Sequence, residues 1–241
     1  MPPLTALHRA RLPVAAAFVF LSAAHVPALA VPSPAAVSDS TTRYVIYLHG
    51  AILESHGAGA VHPRFGAYEY AAILDSLGAR GVVVLSELRE ENADGEAYSH
   101  TVSATVDSLL SAGVPPENVT VIGFSKGGGI AMRACTLIMN ESVNYVFMAC
   151  CPRNMTSWPE RKYMGRILAI HETSDTFAGS CRSAILGSSE EDDVAGVIYE
   201  ELEIDTGLEH GAFYRPLGEW LEPALEWAFC RDLTRGARVN Q

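Results

Sequence analysis

The sequence predicts an α/β fold: a doubly wound, mostly parallel six-stranded sheet with helices on both faces. From residue 43 onward, short β-branched runs alternate with stretches of helical periodicity. The runs are apolar at nearly every position, which is typical of strands covered on both faces. A chain of 241 residues, 49% of them hydrophobic, can bury one large core. No insertion is long enough to form a lid domain.

The first half of the predicted fold begins with the strand "YVIYLHG" at 44–50, which is apolar enough to be buried on both faces. A helix is expected at 66–80, because its apolar residues recur at helical spacing and Gly78 supplies a stop. The run "GVVVLSE" at 81–87 predicts a second buried strand, and 103–113 predicts a helix that ends in glycine. These elements form the first strand–helix alternations of the sheet.

The second half repeats this alternation. Four more β-branched runs predict strands at 118–123, 144–151, 166–172 and 197–204. Helices are expected at 127–139, between the first two of these runs, and at 218–233, where the amphipathic pattern closes the domain. Pro223 lies in the last helix and is tolerated there only near the first turn.

The N-terminus predicts an export signal. Basic residues precede a short apolar run, and Ala28 and Ala30 have the small-residue spacing of a cleavage site. The predicted organisation is therefore a signal peptide at 1–30, a flexible Pro/Ser/Ala-rich leader at 31–42 and one domain at 43–241. The alternative, an uncleaved anchor, is disfavoured because the apolar run is shorter than the ~20 residues that a membrane span needs. We expect a secreted or periplasmic protein that does not associate with a membrane once the signal is removed.

The charge balance limits the partners. The formal net charge is −11, and the basic residues form no stripe along the sequence. An acidic chain of this kind is a poor partner for nucleic acid or for an anionic membrane surface. The composition leaves a small-molecule substrate as the expected partner and does not indicate an oligomeric state.

The motif "GFSKGG" places Ser125 where a strand is followed directly by a helix. Gly123 and Gly127 provide the space that a sharp strand-to-helix turn requires, since side chains there would collide with neighbouring backbone. Such a turn would hold the Ser125 hydroxyl above the sheet edge. The Lys126 amide, at the helix N-terminus, would then face a developing oxyanion.

A serine nucleophile needs a base and an orienting carboxylate. Asp175 follows the predicted strand 166–172, and His210 follows the strand 197–204. Because the carboxyl ends of parallel strands share one edge, both side chains are expected beside Ser125. The chain order Ser, Asp, His is also that of the α/β-hydrolases.

These motifs resemble those of small, lidless α/β-hydrolases of the dienelactone-hydrolase and carboxylesterase type, and the resemblance covers nearly all of 43–233. "GFSKGG" is similar to the nucleophile turn of these esterases, "AIHETSD" to their acid loop and "LEHGAF" to their histidine loop. "YLHGA" resembles their oxyanion loop, which implies that the Ala51 N–H is a second oxyanion donor. The similarity is closest to exported bacterial hydrolases of unassigned substrate that share the stretch "HG…E…HPRFG.YEY". It implies no cofactor.

Five further residues are candidates for lining the site: His49, Gly50, Glu54, Arg64 and Glu172. Glu172 stands where the resembling family has glycine, so it is an alternative to Asp175 as the acid. His49 matches the family histidine that supports the oxyanion loop.

Arginine and histidine residues near the predicted site raise two further questions. Arg64 and Arg89 could recognise a carboxylate or another polar acyl group through bidentate contacts, the alternative being solvated loop arginines. The spacing of His49, His56 and His62 matches no common metal-ligand set, so no metal is expected.

Five cysteines in an exported chain leave at least one unpaired. Cys150 and Cys151 end one predicted strand, and Cys181 follows the acid loop of its neighbour. Cys230 lies ~20 Å along the last helix, beyond disulfide reach. We expect Cys181 to pair with Cys150 or Cys151, and Cys135 to be a small buried residue.

Together these features predict a serine hydrolase that cleaves carboxylic esters of small acyl groups through a Ser125–His210–Asp175 triad. A thioesterase, or an amidase or peptidase, with the same triad is the first alternative. A non-catalytic, partner-binding protein on the same fold is the second.

Overall fold

The computed structural model describes residues 41–155, 161–187 and 194–229. The predicted signal peptide at 1–30, nearly all of the leader at 31–42, and Cys230 lie outside these ranges. Among the described residues, no helix combines the length and hydrophobicity that crossing a bilayer requires.

The described chain forms strands and helices in alternation. In chain order the strands are β1 Tyr44–Leu48, β2 Val61–His62, β3 Gly66–Ala67, β4 Val83–Leu85, β5 Val119–Phe124, β6 Asn144–Met148, β7 Cys151–Pro152, β8 Gly165–Glu172, β9 Ala178–Gly179 and β10 Val197–Ile204. The helices are α1 Ile52–His56, α2 Tyr70–Gly78, α3 Gly95–Ser111, α4 Lys126–Ile138, α5 Arg182–Leu186 and α6 Gly218–Phe229.

Six of these strands form the main sheet, in the order β10-β8-β6-β5-β1-β4, and every neighbouring pair is parallel. The order of strands changes sides at β1: the next strand of this sheet in the chain, β4, pairs on one side of β1, and the following one, β5, pairs on the other. Ligands bind above the carboxyl ends of the strands at such a switch point. The predicted fold class, six strands with helices on both faces, is confirmed.

Side-chain alternation along the strands builds a core on each face of the sheet. In β1, Tyr44, Ile46 and Leu48 pack with the apolar faces of α3 and α4. Val45 and Tyr47 point the other way and pack with α2 and α6. Every residue of β1 is therefore buried, which explains its continuous apolar sequence.

Two helices differ from their predicted bounds for local reasons. The helix expected at 66–80 begins only at Tyr70, because Gly66–Ala67 pairs with Val61–His62 in a short antiparallel ribbon. The helix expected at 103–113 begins at Gly95, where the Asp94 carboxylate accepts hydrogen bonds from two backbone amides of the first turn at 2.8 and 2.9 Å. Aspartate is a preferred N-cap residue, so the sequence itself indicated the earlier start at Asp94, which the predicted bounds did not include.

The last helix contains Pro223 beyond its first turn, contrary to the expectation for that position. Proline has no amide hydrogen, so the carbonyl one turn earlier loses its usual helical partner. The helix nevertheless continues to Phe229, because its apolar face, including Trp220 and Leu225, is buried against the sheet.

Candidate functional site

The turn between β5 and α4 holds Ser125 in a strained backbone conformation, with φ 53° and ψ −118°. Such a conformation costs on the order of 1–3 kcal/mol for a residue with a side chain. A Cβ on Gly123 would lie 2.4 Å from the Gly127 carbonyl oxygen, and one on Gly127 would lie 2.1 Å from the Leu48 carbonyl oxygen. Both glycines are therefore required by close backbone approach, as the sequence predicts.

His210 connects Ser125 to Asp175. The Ser125 Oγ lies 3.0 Å from His210 Nε2, and His210 Nδ1 lies 2.7 Å from Asp175 Oδ2. The three side chains come from loops that follow β5, β8 and β10, so the parallel sheet brings them to one edge. The structure brings together the three residues that the sequence singled out.

The Asp175 carboxylate is buried, with 1% of the residue exposed. Burial raises its pKa, but hydrogen bonding and charge attraction from His210 and hydrogen bonds from the amides of Phe177 and Ala178 outweigh this effect and lower the pKa overall. The two amides donate to Asp175 Oδ1 at 2.8 and 3.3 Å, which leaves Oδ2 to face the imidazole. The carboxylate is thus held ionised and oriented.

Aromatic rings surround the His210 imidazole. The ring centroids of Phe124, Phe177 and Phe65 lie 4.9, 5.7 and 6.2 Å from that of His210. These contacts, together with the hydrogen bond to Asp175, restrict rotation of the imidazole.

Lys126 and Ala51, whose backbone amides the sequence suggested as oxyanion donors, lie beside the space in front of Ser125. Lys126 is the first residue of α4, and Ala51 follows the Gly50 turn at the end of β1. Both residues line the same cavity as the Ser125 hydroxyl. Neither amide donates a hydrogen bond to another group of the described chain, so both are available to a developing oxyanion.

A buried ion-pair cluster lies behind these amides. Glu54 Oε1 accepts from Arg89 Nε at 2.9 Å, and Glu54 Oε2 accepts from Lys126 Nζ at 2.5 Å. The side chains of Glu54 and Arg89 are only 4% and 1% exposed. Because Glu54 belongs to the helix that follows Ala51, its carboxylate links the two loops that carry the amides.

His49 supports this cluster in its neutral form. Its Nε2 accepts a hydrogen bond from the Arg89 amide at 3.0 Å, and its Nδ1 lies 2.8 Å from the Gly50 carbonyl oxygen. Burial and the nearby Arg89 charge lower the pKa of His49 to about 4. The neutral imidazole therefore joins the turn at Gly50 to the backbone of Arg89.

A cavity of about 490 Å³ opens in front of Ser125 and His210. Apolar rings, those of Phe65, Phe177 and Tyr214 among them, form part of its wall. Its size suits a small molecule rather than a long chain.

The chain is similar to known hydrolases in part of its sequence and in its fold. A family model described as phospholipase/carboxylesterase matches residues 82–182. An esterase from Pyrobaculum calidifontis shares 16% identity and a TM-score of 0.53, with 78% of this chain and 75% of that chain covered. A phospholipase/carboxylesterase from Dyadobacter fermentans shares 10% identity and a TM-score of 0.54, with 79% and 92% covered. The chain has the α/β-hydrolase fold. No curated protein matches it significantly.

The family match confirms the sequence resemblance to small carboxylesterase-like hydrolases. It covers the nucleophile turn and the acid loop, and it ends before the histidine loop at His210. The other residues that the sequence singled out lie partly on the cavity wall and partly away from it.

Glu172, the alternative acid, forms no hydrogen bond with His210. One of its oxygens accepts from the amide and hydroxyl of Ser174, both at 2.7 Å. The other accepts from the Thr206 amide at 3.0 Å, the Thr206 hydroxyl at 3.1 Å and the Gly207 amide at 2.9 Å. Glu172 therefore ties the loop that carries Asp175 to the loop that precedes His210.

Four of the five expected lining residues are not on the wall. Gly50 lines the cavity, whereas His49 and Glu172, which are buried, and Glu54, whose side chain is only 4% exposed, do not. Arg64 is ion-paired with Glu209 at an exposed position outside the cavity. Arg64 and Arg89, the arginines considered for carboxylate recognition, are thus both engaged by glutamates of the chain.

A disulfide joins Cys151 to Cys181, with 5.3 Å between the Cα atoms. It decides between the two pairings that the sequence left open, and it reinforces the antiparallel pair formed by β7 and β9. Cys150 remains a thiol with its Sγ 4.0 Å from that of Cys181, and Cys135 is a buried free thiol as expected.

Arg153 is a positioning residue that the sequence analysis missed. Its guanidinium donates to the carbonyl oxygens of Asp175 at 2.5 Å and Thr173 at 3.1 Å. It thereby fixes the backbone of the loop that carries the carboxylate. The sequence signal available for Arg153 was its position shortly after the two candidate disulfide cysteines, Cys150 and Cys151.

Proposed function

We propose that the protein is a serine hydrolase that cleaves carboxylic esters of small acyl groups through an acyl-enzyme. The observation that carries this proposal is the hydrogen-bonded series Ser125–His210–Asp175 at a strained strand-to-helix turn. The match to the phospholipase/carboxylesterase family model supports an ester as the substrate class. The volume of the cavity supports a small acyl group.

In the acylation step, His210 acts as the general base. Its Nε2 takes the hydroxyl proton as Ser125 Oγ attacks the acyl carbon, and Nδ1–H donates to Asp175 throughout. The ionised Asp175 carboxylate stabilises the imidazolium that forms. His210 then passes the proton to the departing alkoxide, which leaves as the alcohol.

The amides of Lys126 and Ala51 stabilise the tetrahedral intermediate. Each would donate to the oxygen that becomes negatively charged when Ser125 attacks, and α4 adds the favourable end of its dipole. One such donor is worth roughly 10²–10³ in kcat. The ion-pair cluster behind both amides holds them in place before substrate arrives.

Deacylation repeats the same steps with water as the nucleophile. His210 takes a proton from a water molecule as the water oxygen attacks the acyl carbon, and the proton returns to the Ser125 oxygen as the carboxylic acid leaves.

The N-terminal pattern at 1–30 supports the further proposal that this chemistry takes place outside the cytoplasm.

Hydrolysis of 4-nitrophenyl butyrate by the wild-type protein and Ser125→Ala tests the proposal. The variant should lose roughly 10⁶-fold in kcat, because the nucleophile is removed. Ser108→Ala is the matched control, since the Ser108 hydroxyl is exposed on α3 and donates to the Ala104 carbonyl oxygen of the same helix. Comparable rates for Ser125→Ala and Ser108→Ala would contradict the proposal.

A further inference from the structure

The wall of the catalytic cavity carries no acidic side chain among its described residues, although the chain as a whole has a net charge of −11. Two cations, Lys126 and Arg133, are on that wall. The Asp175 carboxylate is buried behind His210 and takes no part in the surface of the cavity. The local charge is therefore opposite to that of the rest of the molecule.

The two cations differ in how they are engaged. The Lys126 ammonium donates to Glu54 at 2.5 Å and to the Ala93 carbonyl oxygen at 2.7 Å. Arg133 makes no ion pair within the described ranges, and its Nη1 donates to the Gly129 carbonyl oxygen at 3.2 Å. A guanidinium has five N–H donors, so most of those on Arg133 remain available to a ligand.

The helix α4 orients Arg133 towards the cavity. Arg133 lies two turns after Lys126, so both occupy one helical face, with Gly129 between them. Because Gly129 has no side chain, the half-buried guanidinium lies over the helix backbone and reaches the cavity wall. A nearby acid, Asp94, has Oδ1 occupied by the N-terminal amides of α3 and forms no ion pair with Arg133.

A second cavity of about 230 Å³ adjoins the first at Arg133. Gly129, Arg133, Cys150 and Pro152 line both cavities, and Arg161 lines the second. Arg133 therefore lies where a cleft leads from Ser125 towards another guanidinium. The rings of Phe65, Phe177 and Tyr214 line the first cavity from segments other than α4, which leaves one apolar and one cationic region around the nucleophile.

We propose that Arg133 is a specificity-determining residue that binds a carboxylate carried by the ester substrate. This inference rests on the proposed esterase function. Planar guanidinium groups bind carboxylates through two parallel hydrogen bonds, which a neutral ester of the same length does not offer. The substrate class is therefore an ester with a second, anionic end: a half-ester of a dicarboxylic acid, or an ester of a hydroxy acid.

Two matched substrate pairs distinguish these sources of the carboxylate. Mono-4-nitrophenyl glutarate and 4-nitrophenyl pentanoate differ by a carboxylate on the acyl side. 3-Acetoxyphenylacetate and its methyl ester differ by a carboxylate on the alcohol side. The measured quantity is the ratio of kcat/KM for the anionic ester to kcat/KM for the neutral one, in which a general change in activity cancels.

In the wild type we expect the ratio to favour the anionic member of one pair. Arg133→Gln should lower that ratio by about 10- to 100-fold, the value of one charge-assisted contact, and Arg133→Lys should restore it in part. Arg80→Gln is the matched control, because it removes the same charge from an exposed ion pair with Glu222; it should keep the wild-type ratio.

Equal kcat/KM for both members of both pairs in the wild type would overturn the subsite while leaving the esterase proposal intact. An unchanged ratio in Arg133→Gln would overturn it as well. Hydrolysis of none of the four esters would contradict the proposed function and the subsite with it.

Discussion

Neutralising Glu54 tests whether the cluster behind the oxyanion amides is a desolvated ion pair. Glu54→Gln keeps the shape of the side chain and removes the charge that compensates Arg89. The Arg89 side chain is 1% exposed, so its guanidinium would remain buried without a counter-ion. The Lys126 side chain is 30% exposed and would be compensated by water.

The expected loss follows from this difference in burial. Breaking a buried pair by removing one partner costs about 3–5 kcal/mol in the free energy of unfolding. For a domain of this size, 1 kcal/mol corresponds to roughly 2–4 °C in Tm, so the variant should melt about 6–20 °C lower. Glu222→Gln is the matched control, because its pair with Arg80 is about half exposed on both sides; it should cost less than ~1 kcal/mol.

Urea unfolding of the two variants and the wild type measures the free energies of unfolding, and thermal unfolding measures the change in Tm. Glu54→Gln should also lower kcat more than it raises KM, because its carboxylate links the loops that carry the Ala51 and Lys126 amides. If Glu54→Gln cost no more than Glu222→Gln, Arg89 would have to be solvated in the folded protein. The reasoning about the cluster would then be refuted.

Three further predictions concern the loops around the site. Asp175→Asn should lower kcat by about 10⁴-fold, whereas Glu172→Gln should act mainly on stability; equal losses of kcat in ester hydrolysis would contradict these assignments. His49, with a folded pKa of about 4 against ~6.5 when unfolded, contributes stability that is complete above about pH 6.5 and is lost as the pH falls towards 4. This contribution is about 3 kcal/mol, so the unfolding free energies of the wild type and of His49→Gln should converge as the pH falls from about 6.5 to about 4; a constant difference between them would contradict this assignment. Replacing both Cys151 and Cys181 by serine opens a loop with a sequence separation of 30 and should cost about 3–4 kcal/mol in urea unfolding; an unchanged midpoint would show that the bridge does not constrain the unfolded chain.

Much of this molecule could be predicted from sequence because parallel sheets obey a simple rule. Once the β-branched runs are recognised as strands, their carboxyl ends meet at one edge, and that alone brings Ser125, Asp175 and His210 together. The glycines at 123 and 127 were equally readable, since their close contacts are set by the turn itself.

Features that depend on side-chain direction were not readable. Glu54 follows the oxyanion loop in sequence, yet it turns inward because Arg89, after the neighbouring strand β4, lies beneath it. The choice between Cys150 and Cys151 depends on Ala149, whose φ of 45° interrupts strand alternation just before them. Arg133 occupies one helical face with Lys126, but only the packed structure shows that this face borders the cavity.

Covalent labelling tests the central claim most directly. A fluorophosphonate probe should add to the wild-type protein, and peptide mass mapping should locate the adduct on Ser125, because the hydroxyl activated by His210 is the strongest nucleophile expected in the chain. Ser125→Ala should remain unlabelled. An adduct on another residue, or labelling of Ser125→Ala to the wild-type extent, would contradict the account.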